Sequence, residues 1–520
     1  MPETMPKNIV LCSDGTGNKG GSGSDTNVFK IYQAVKVNDF EKDERRQIVF
    51  YDNGVGTSKL NVAKALGGGL GLGFRDNVRD LYDFLGRHYV DGDDVYIFGF
   101  SRGAATVRAL AGMVEHCGLV IKHPVDRPVL EEDEFTERVK AAMDYYKHRR
   151  SNQKLGFEYG KKIQIEFMGV WDTVSALGVP QLPWLDNLLN LIRRHKFYDY
   201  EPATCVKNVY HPIALDDERR TFWPMVWKET SFKGDNIEQV WFSGMHSNVG
   251  GGYPREEVAN VTLDWMMQKL KTHCERLRET DETRGLCLKD SAQTNVHADA
   301  SPDGKVYNSR SGFSIFYRYQ PRPVEDLCRD ADNTPIRIHT SVIDRLQHRT
   351  AGYTPCNLPA PGDFTQVGPG APPAGGAAAS APAGSAVAGP PAAEGYEALR
   401  TAIDSLKNSR ISLYWVFLFS SLATLAGSLW LWVRPAVEAG NLAWREHWLV
   451  TLGEEGLRYL LPAAFDNAIT YLVLDHPERL AIVLVYAAVL YGLRVALQMG
   501  MEGREGKARL ELLKRLGRPV

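Results

Sequence analysis

The chain is poor in cysteine, carries almost no net charge and shows no apolar stretch ahead of its first strand. Its seven cysteines are scattered through 520 residues, odd in number, and never spaced as C-x-x-C. That pattern excludes a disulfide framework or a structural zinc ribbon and fits a reducing compartment. Met1 to Asn8 holds no apolar stretch ahead of the first strand, so no secretory signal is expected. With 61 Lys and Arg against 63 Asp and Glu, the formal net charge is −2, which offers nucleic acid no basic surface. No G-K-[ST] follows the first glycine-rich turn, which speaks against a phosphate-binding loop there.

What is present is a globular composition, 44% hydrophobic and 24% charged, on a chain too long for a single core. The informative stretch runs from Asp94 to Ala105 (DVYIFGFSRGAA). A β-branched and aromatic run predicts a buried strand, and Ala104, Val107, Leu110, Ala111 and Val114 repeat as the apolar face of a helix. Between them lies G-x-S-x-G centred on Ser101, the layout of a nucleophile elbow, with the positive end of the helix aimed at the reacting centre.

Other strands end in polar residues. Asn8 to Cys12 leads into Ser13-Asp14-Gly15-Thr16-Gly17-Asn18, where the backbone N–H of Gly15 or Thr16 could serve as an oxyanion donor beside that of Arg102. Gln47 to Tyr51 is a second strand. Leu66 to Gly73 (LGGGLGLG) is expected to be a mobile wall of the cleft or a plain connector, and Asn77 to Tyr89 a helix. Ile163 to Val170 runs into Trp171-Asp172, and Ile237 to Phe242 into Ser243-Gly244-Met245-His246. A serine hydroxyl needs a base to take its proton, and an imidazole held by a buried carboxylate supplies one. Ser101, Asp172 and His246 are therefore the candidate catalytic residues, in the chain order Ser, Asp, His. His211, Asp216, Asp217, Glu218 and Arg219 place their carboxylates side by side rather than on one face, which favours ion pairing or capping over metal binding.

Five segments carry a resemblance: DGTGN after the first strand, GFSRGA, GVWDTVSALG, HPIALDDERR from His211 to Arg220, and MHSNVGGGY. Over roughly residues 6–358 the chain resembles an α/β-hydrolase family of long-unassigned function, whose catalytic domain is shared with phospholipase effectors of the type VI secretion system. The resemblance implies ester hydrolysis, with phospholipids the substrates of some members. It places the nucleophile at Ser101, the acid at Asp172 and the base at His246, and requires no metal or organic cofactor. The chain departs from secreted effectors in its C-terminal tail.

After the catalytic region, Pro359 to Ala393 is rich in Pro, Ala, Gly and Ser, a linker of about 35 residues whose coil would reach roughly 30–35 Å. Ile411 to Val433 and Leu480 to Met499 are apolar and long enough to cross a hydrocarbon core of about 30 Å. Lys407, Arg410 and the basic residues from Arg504 to Arg518 flank their outer ends, which predicts both ends in the cytoplasm. Between the Asp172 and His246 strands, Trp184, Leu185, Leu188, Leu189 and Ile192 form one helical stripe closed by Arg193, Arg194 and Lys196. It is either a core-packing helix or a face that docks on lipid.

The expectation is thus an α/β fold, a doubly wound and mostly parallel α/β-hydrolase-like sheet over 1–358. A linker over 359–395 and a two-pass membrane anchor over 396–520 follow, with helices at about 411–433 and 480–499. The function expected is that of a serine esterase or lipase at a bacterial inner membrane, with its hydrolase domain cytoplasmic, its substrate a lipid or lipid-like ester, and its protein partners unspecified. The rival readings are a catalytically idle membrane-anchored scaffold and an exported type VI antibacterial lipase toxin. Residues 254–358 carry no chemistry in the sequence.

Overall fold

The computed structural model describes residues 5–15, 21, 23–37, 45–53, 70–124, 128–148, 160–174, 201–308, 319–348, 350–353, 355, 357–359 and 363–368. Farther along it describes only 405, 408–416, 419–420, 489, 492 and 500. The chain divides into two units, residues 1–389 with 518–520, and residues 390–517. The described residues of the second unit are helical. No helix of the described residues is long and apolar enough to cross a membrane. The two spans expected at 411–433 and 480–499 lie almost wholly outside those residues, as do the tentative docking residues Trp184, Leu188, Arg193 and Arg194.

In the first unit the order is β1 (Asn8–Ser13), α1 (Asn27–Ala34), β2 (Gln47–Asp52), α2 (Leu70–His88), β3 (Asp94–Phe100), α3 (Arg102–Cys117), α4 (Glu132–Lys147) and β4 (Ile165–Trp171). There follow β5 (Val206–Ala214), β6 (Asn236–Phe242), α5 (His246–Gly250), α6 (Glu257–Thr280), α7 (Asp290–Asp299), α8 (Val324–Asp330), β7 (Arg337–His339), α9 (Thr340–Gln347) and β8 (Thr365–Val367). The strands form one sheet in the order β2-β1-β3-β4-β5-β6-β7-β8, every neighbouring pair parallel.

Alternation along each strand feeds two cores. Ile9, Leu11, Val95 and Ile97 face one side, with side chains of α2, α3 and α4. Val10, Cys12, Tyr96, Phe98 and Phe100 face the other, with α1 and α6. Both faces are covered, so the strands read as unbroken apolar runs, as parallel strands do. Because β1 pairs with β2 on one side and β3 on the other, the winding reverses between β1 and β3. A crevice opens at such a switch point, outside the carboxyl ends of the strands.

The structure differs from the sequence pattern at three places, α2, β5 and β8. The glycine-rich segment expected as a mobile wall is helical from residue 70, because the buried stripe of Phe74, Val78, Leu81, Tyr82 and Leu85 pulls the first turn into α2 despite two glycines. β5 was masked in the sequence by Lys207, Asn208, His211 and Pro212, yet it sits inside the sheet. Pro212 lacks an N–H, but its carbonyl accepts the N–H of Asp172 at 2.8 Å. Residues 309–318 lie outside the described residues, and Tyr319 just after them forms an isolated antiparallel bridge with Arg219. β8, which pairs with β7, falls within the stretch that composition assigns to the linker.

The join between β1 and α3 tolerates little change. A Cβ on Gly103 would lie 2.1 Å from the carbonyl oxygen of Ser13 and 2.5 Å from that of Asp14. Gly103→Ala is therefore expected to destabilise the fold by about 1–3 kcal/mol, the range for overpacking, seen as a lower urea midpoint. An unchanged midpoint would show that α3 can draw back from β1.

Candidate active site

Three strand ends meet at the site. Ser101 stands between β3 and α3 with φ +58° and ψ −120°, a backbone conformation that costs a non-glycine residue of order 1–3 kcal/mol. Its N–H donates to Trp171 O at 3.1 Å, tying the turn to the end of β4. Gly99 and Gly103 permit the turn by close approach: a Cβ on Gly99 would lie 2.7 Å from the Ala104 Cα. Asp172 follows β4 at φ +38° and is fully buried. His246 opens α5, and the preceding Gly244, at φ +113°, donates its N–H to Asp216 Oδ2 at 2.5 Å.

The side chains of these residues form one hydrogen-bonded chain. His246 Nδ1 lies 2.5 Å from Asp172 Oδ2, and Nε2 lies 2.7 Å from Ser101 Oγ. An ionised carboxylate only accepts, so Nδ1 carries the proton and Nε2 presents its lone pair to the serine hydroxyl. Phe100 lies tilted against the imidazole at a centroid distance of 4.7 Å, and Phe222 meets it in a T-shaped arrangement at 5.1 Å. The His246 N–H donates to Asp217 Oδ2 at 3.2 Å, and Asp217 is itself paired with Arg219 at 2.7 Å.

The electrostatics suit a neutral base. Burial lowers the pKa of His246, and this outweighs the opposing hydrogen bond and charge of Asp172. Burial pushes the Asp172 carboxyl up, but the Arg322 guanidinium and His246 overturn that and hold it well below the usual carboxylate range. Behind Asp172, His211 is pushed down to about 3 by burial, and its Nε2 accepts the N–H of Thr173 at 3.1 Å. His211 is thus a neutral brace under the turn. Asp217 pairs with Arg219, while Asp216 accepts from Gly244 and from the Tyr353 hydroxyl at 2.9 Å. Among the described residues, no group of His, Cys, Asp or Glu could hold a metal ion.

The expected oxyanion donors separate. Arg102 opens α3 directly after Ser101, at the positive end of that helix. Gly15 is buried, and its N–H donates at 2.6 Å to the carboxylate of Asp14, which also accepts from Thr26 and Tyr51. Thr16 lies outside the described residues.

Sequence reasoning missed Arg322, which is fully buried and donates to both oxygens of Asp172, at 2.6 and 2.8 Å. Its local signal is an arginine between two prolines, Pro321 and Pro323, an extended stretch with no periodicity to reveal where it lands.

With this geometry in view, the chain is 27% identical over 234 residues to the uncharacterized protein YEL023C of Saccharomyces cerevisiae, covering 42% of this chain and 32% of that protein. A crystal structure of an uncharacterized protein from Pseudomonas aeruginosa is 17% identical, with a TM-score of 0.35, over 63% of this chain and 52% of that one. The Tle1 effector bound to the VgrG spike from the type VI secretion system is 19% identical, with a TM-score of 0.28, over 48% of this chain and 51% of that one. The chain thus spans about a third of the yeast relative and half of each solved chain. The family model described as type VI secretion system phospholipase effector Tle1-like, catalytic domain, matches residues 7–269, just over half of the chain, which therefore belongs to that family.

Proposed function

We propose that this chain is a serine hydrolase that cleaves carboxylic esters, with phospholipid acyl esters its substrates, through Ser101, His246 and Asp172. The observation that carries the reading is the unbroken hydrogen-bonded chain from the Ser101 hydroxyl through His246 to the buried carboxylate of Asp172. Family membership supports the lipase class.

In this mechanism the Ser101 Oγ attacks the ester carbonyl as Nε2 takes its proton. The tetrahedral oxyanion forms at the N-terminus of α3, where the Arg102 amide is the donor expected to meet it. Collapse expels the alcohol, which receives the proton from His246. Water then repeats the sequence on the acyl-Ser101 ester and releases the fatty acid. Asp172 keeps the proton on Nδ1 throughout and stabilises the imidazolium as it forms.

The reading extends to the tail. The spans 411–433 and 480–499 would anchor the enzyme to a membrane with the hydrolase on the cytoplasmic side, where its own bilayer supplies the substrate. Since β8 belongs to the sheet, the catalytic part is taken to run through residue 368 rather than to stop at 358. A toxin delivered by a type VI apparatus is the competing reading, favoured by the family relation.

A fluorophosphonate probe should label the wild-type chain and not Ser101→Ala. Turnover of a short-chain nitrophenyl ester by His246→Ala should fall by about four to six orders of magnitude, the range for triad members that act as a unit. Retained turnover in either variant would remove these residues from the mechanism. Because His246 must be neutral and its pKa is lowered, kcat/KM should be at its plateau at neutral pH. It should fall only as pH drops through a value below about 6.5. An acid limb centred at or above 7 would contradict a buried, neutral base. For topology, a cysteine placed at Gly453 should react with an impermeant maleimide in intact cells, and one placed at Gly375 only after lysis. The reverse pattern would favour the exported toxin.

A further inference from the structure

The segment Tyr319 to Pro323 lies beyond the part of the chain that the family model matches, and the sequence assigns it no chemistry. In the structure it is stitched onto the loop after β5. Tyr319 bridges Arg219, the Gln320 N–H donates to Glu218 O at 2.8 Å, and Trp223 Nε1 donates to Gln320 O at 3.0 Å. Asn357 Nδ2 donates to the carbonyls of both Arg322 and Leu215, at 2.9 and 2.7 Å, closing the attachment.

This framework drives the Arg322 side chain into the protein. Nη1 donates to Asp172 Oδ1 at 2.6 Å and Ala214 O at 2.5 Å, and Nη2 to Asp172 Oδ2 at 2.8 Å and Phe222 O at 2.5 Å. Both terminal nitrogens are therefore fully used. The Asp172 carboxylate in turn accepts from Arg322 twice, from the Ala214 N–H at 2.9 Å and from His246. A planar fork bonded to both oxygens fixes the plane of the carboxylate, which a single ammonium cannot do.

We propose that Arg322 is a positioning residue of the ester-hydrolysing site, holding the Asp172 carboxylate in the orientation that faces His246 and offsetting its charge there. This rests on the Ser101, His246 and Asp172 mechanism proposed above. The carboxylate that steadies the imidazole is already neutralised by a guanidinium, so His246 draws less stabilisation for its protonated form and stays a free base into more acid solution. Besides Asp172, charged groups that act on His246 include Asp217 and Arg219, which pair with each other. Arg219 also lowers the proton affinity of His246, and Asp217 raises it.

The test uses the full chain with Arg322→Gln and Arg322→Lys, active sites being counted by fluorophosphonate titration. In both variants kcat per titrated site should fall about a hundredfold, the effect of misplacing a reacting group by about 1 Å, with KM little changed. The acid limb of kcat/KM should move up by roughly one pH unit in Arg322→Gln, where the positive charge is gone. It should stay in place in Arg322→Lys, which keeps the charge without the fork. Arg322→Gln with wild-type kcat per site, or with an unmoved limb and a loss confined to the number of titratable sites, overturns the proposal. If neither variant folds, Asn357→Ala loosens the same segment and should lower kcat per site and raise the limb; wild-type values for both would overturn it. A wild-type chain that takes no label at Ser101 defeats the parent mechanism instead, and is told apart from a labelled wild type whose Arg322 variants match it.

Discussion

The buried carboxylate of Asp172 is the constraint around which the site is assembled. A negative charge removed from water and left unpaired costs about 3–5 kcal/mol, so each of its acceptor positions has to be met. The donors come from three places: the end of β5 through the Ala214 N–H, the start of α5 through His246, and the segment before α8 through Arg322. Satisfying one carboxylate thus draws together stretches separated by as many as 150 residues. The final strands, β7 and β8, extend the sheet beyond β6 on the same side.

The backbone stores strain at two of the site's residues. Ser101 at φ +58° and Asp172 at φ +38° are both non-glycine residues in disfavoured conformations, and both sit where a parallel strand ends. Each is held by neighbours that leave no alternative: Ser101 by the contact of Gly103 with β1, Asp172 by the Pro212 carbonyl and its own four acceptor bonds. The serine hydroxyl and the imidazole are consequently presented with little freedom. For the proposed mechanism this would pre-organise the attack geometry. A fully buried His211 and a half-buried Asp216 brace the turns from behind.

Packing on both faces of the sheet serves the same end. The helices α2, α3 and α4 cover one face of the sheet and α1 and α6 the other, and the candidate site lies at the carboxyl edge of the strands. At that edge the first turn of α3 brings the positive end of its dipole beside Ser101, so the same element that buries a core also favours negative charge there.

How far the amino-acid sequence went is explained by which signals are local. The elbow is local: a strand, a turn that only glycines permit and a helix are written within a dozen residues, so Ser101 was legible. Asp172 and His246 were legible because each ends a strong apolar strand, and parallel strands gather their carboxyl ends on one edge. Arg322 was not, because its role depends on a fold-back that pairs it with Asp172, and nothing in Pro321-Arg322-Pro323 encodes that meeting. The same holds for β5, where polar residues and Pro212 obscure the strand pattern, and for β7 and β8, three residues each and too short to show a period of two. It holds also for Gly15, whose amide faces the Asp14 carboxylate, an outcome set by the Thr26 and Tyr51 hydroxyls that fix that carboxylate. By itself the sequence determined the class of fold, the elbow turn at Ser101 and the strand ends at which Asp172 and His246 stand. The tertiary structure alone decided which buried charge is compensated by which partner, because desolvation is a property of the packed interior and not of any one segment.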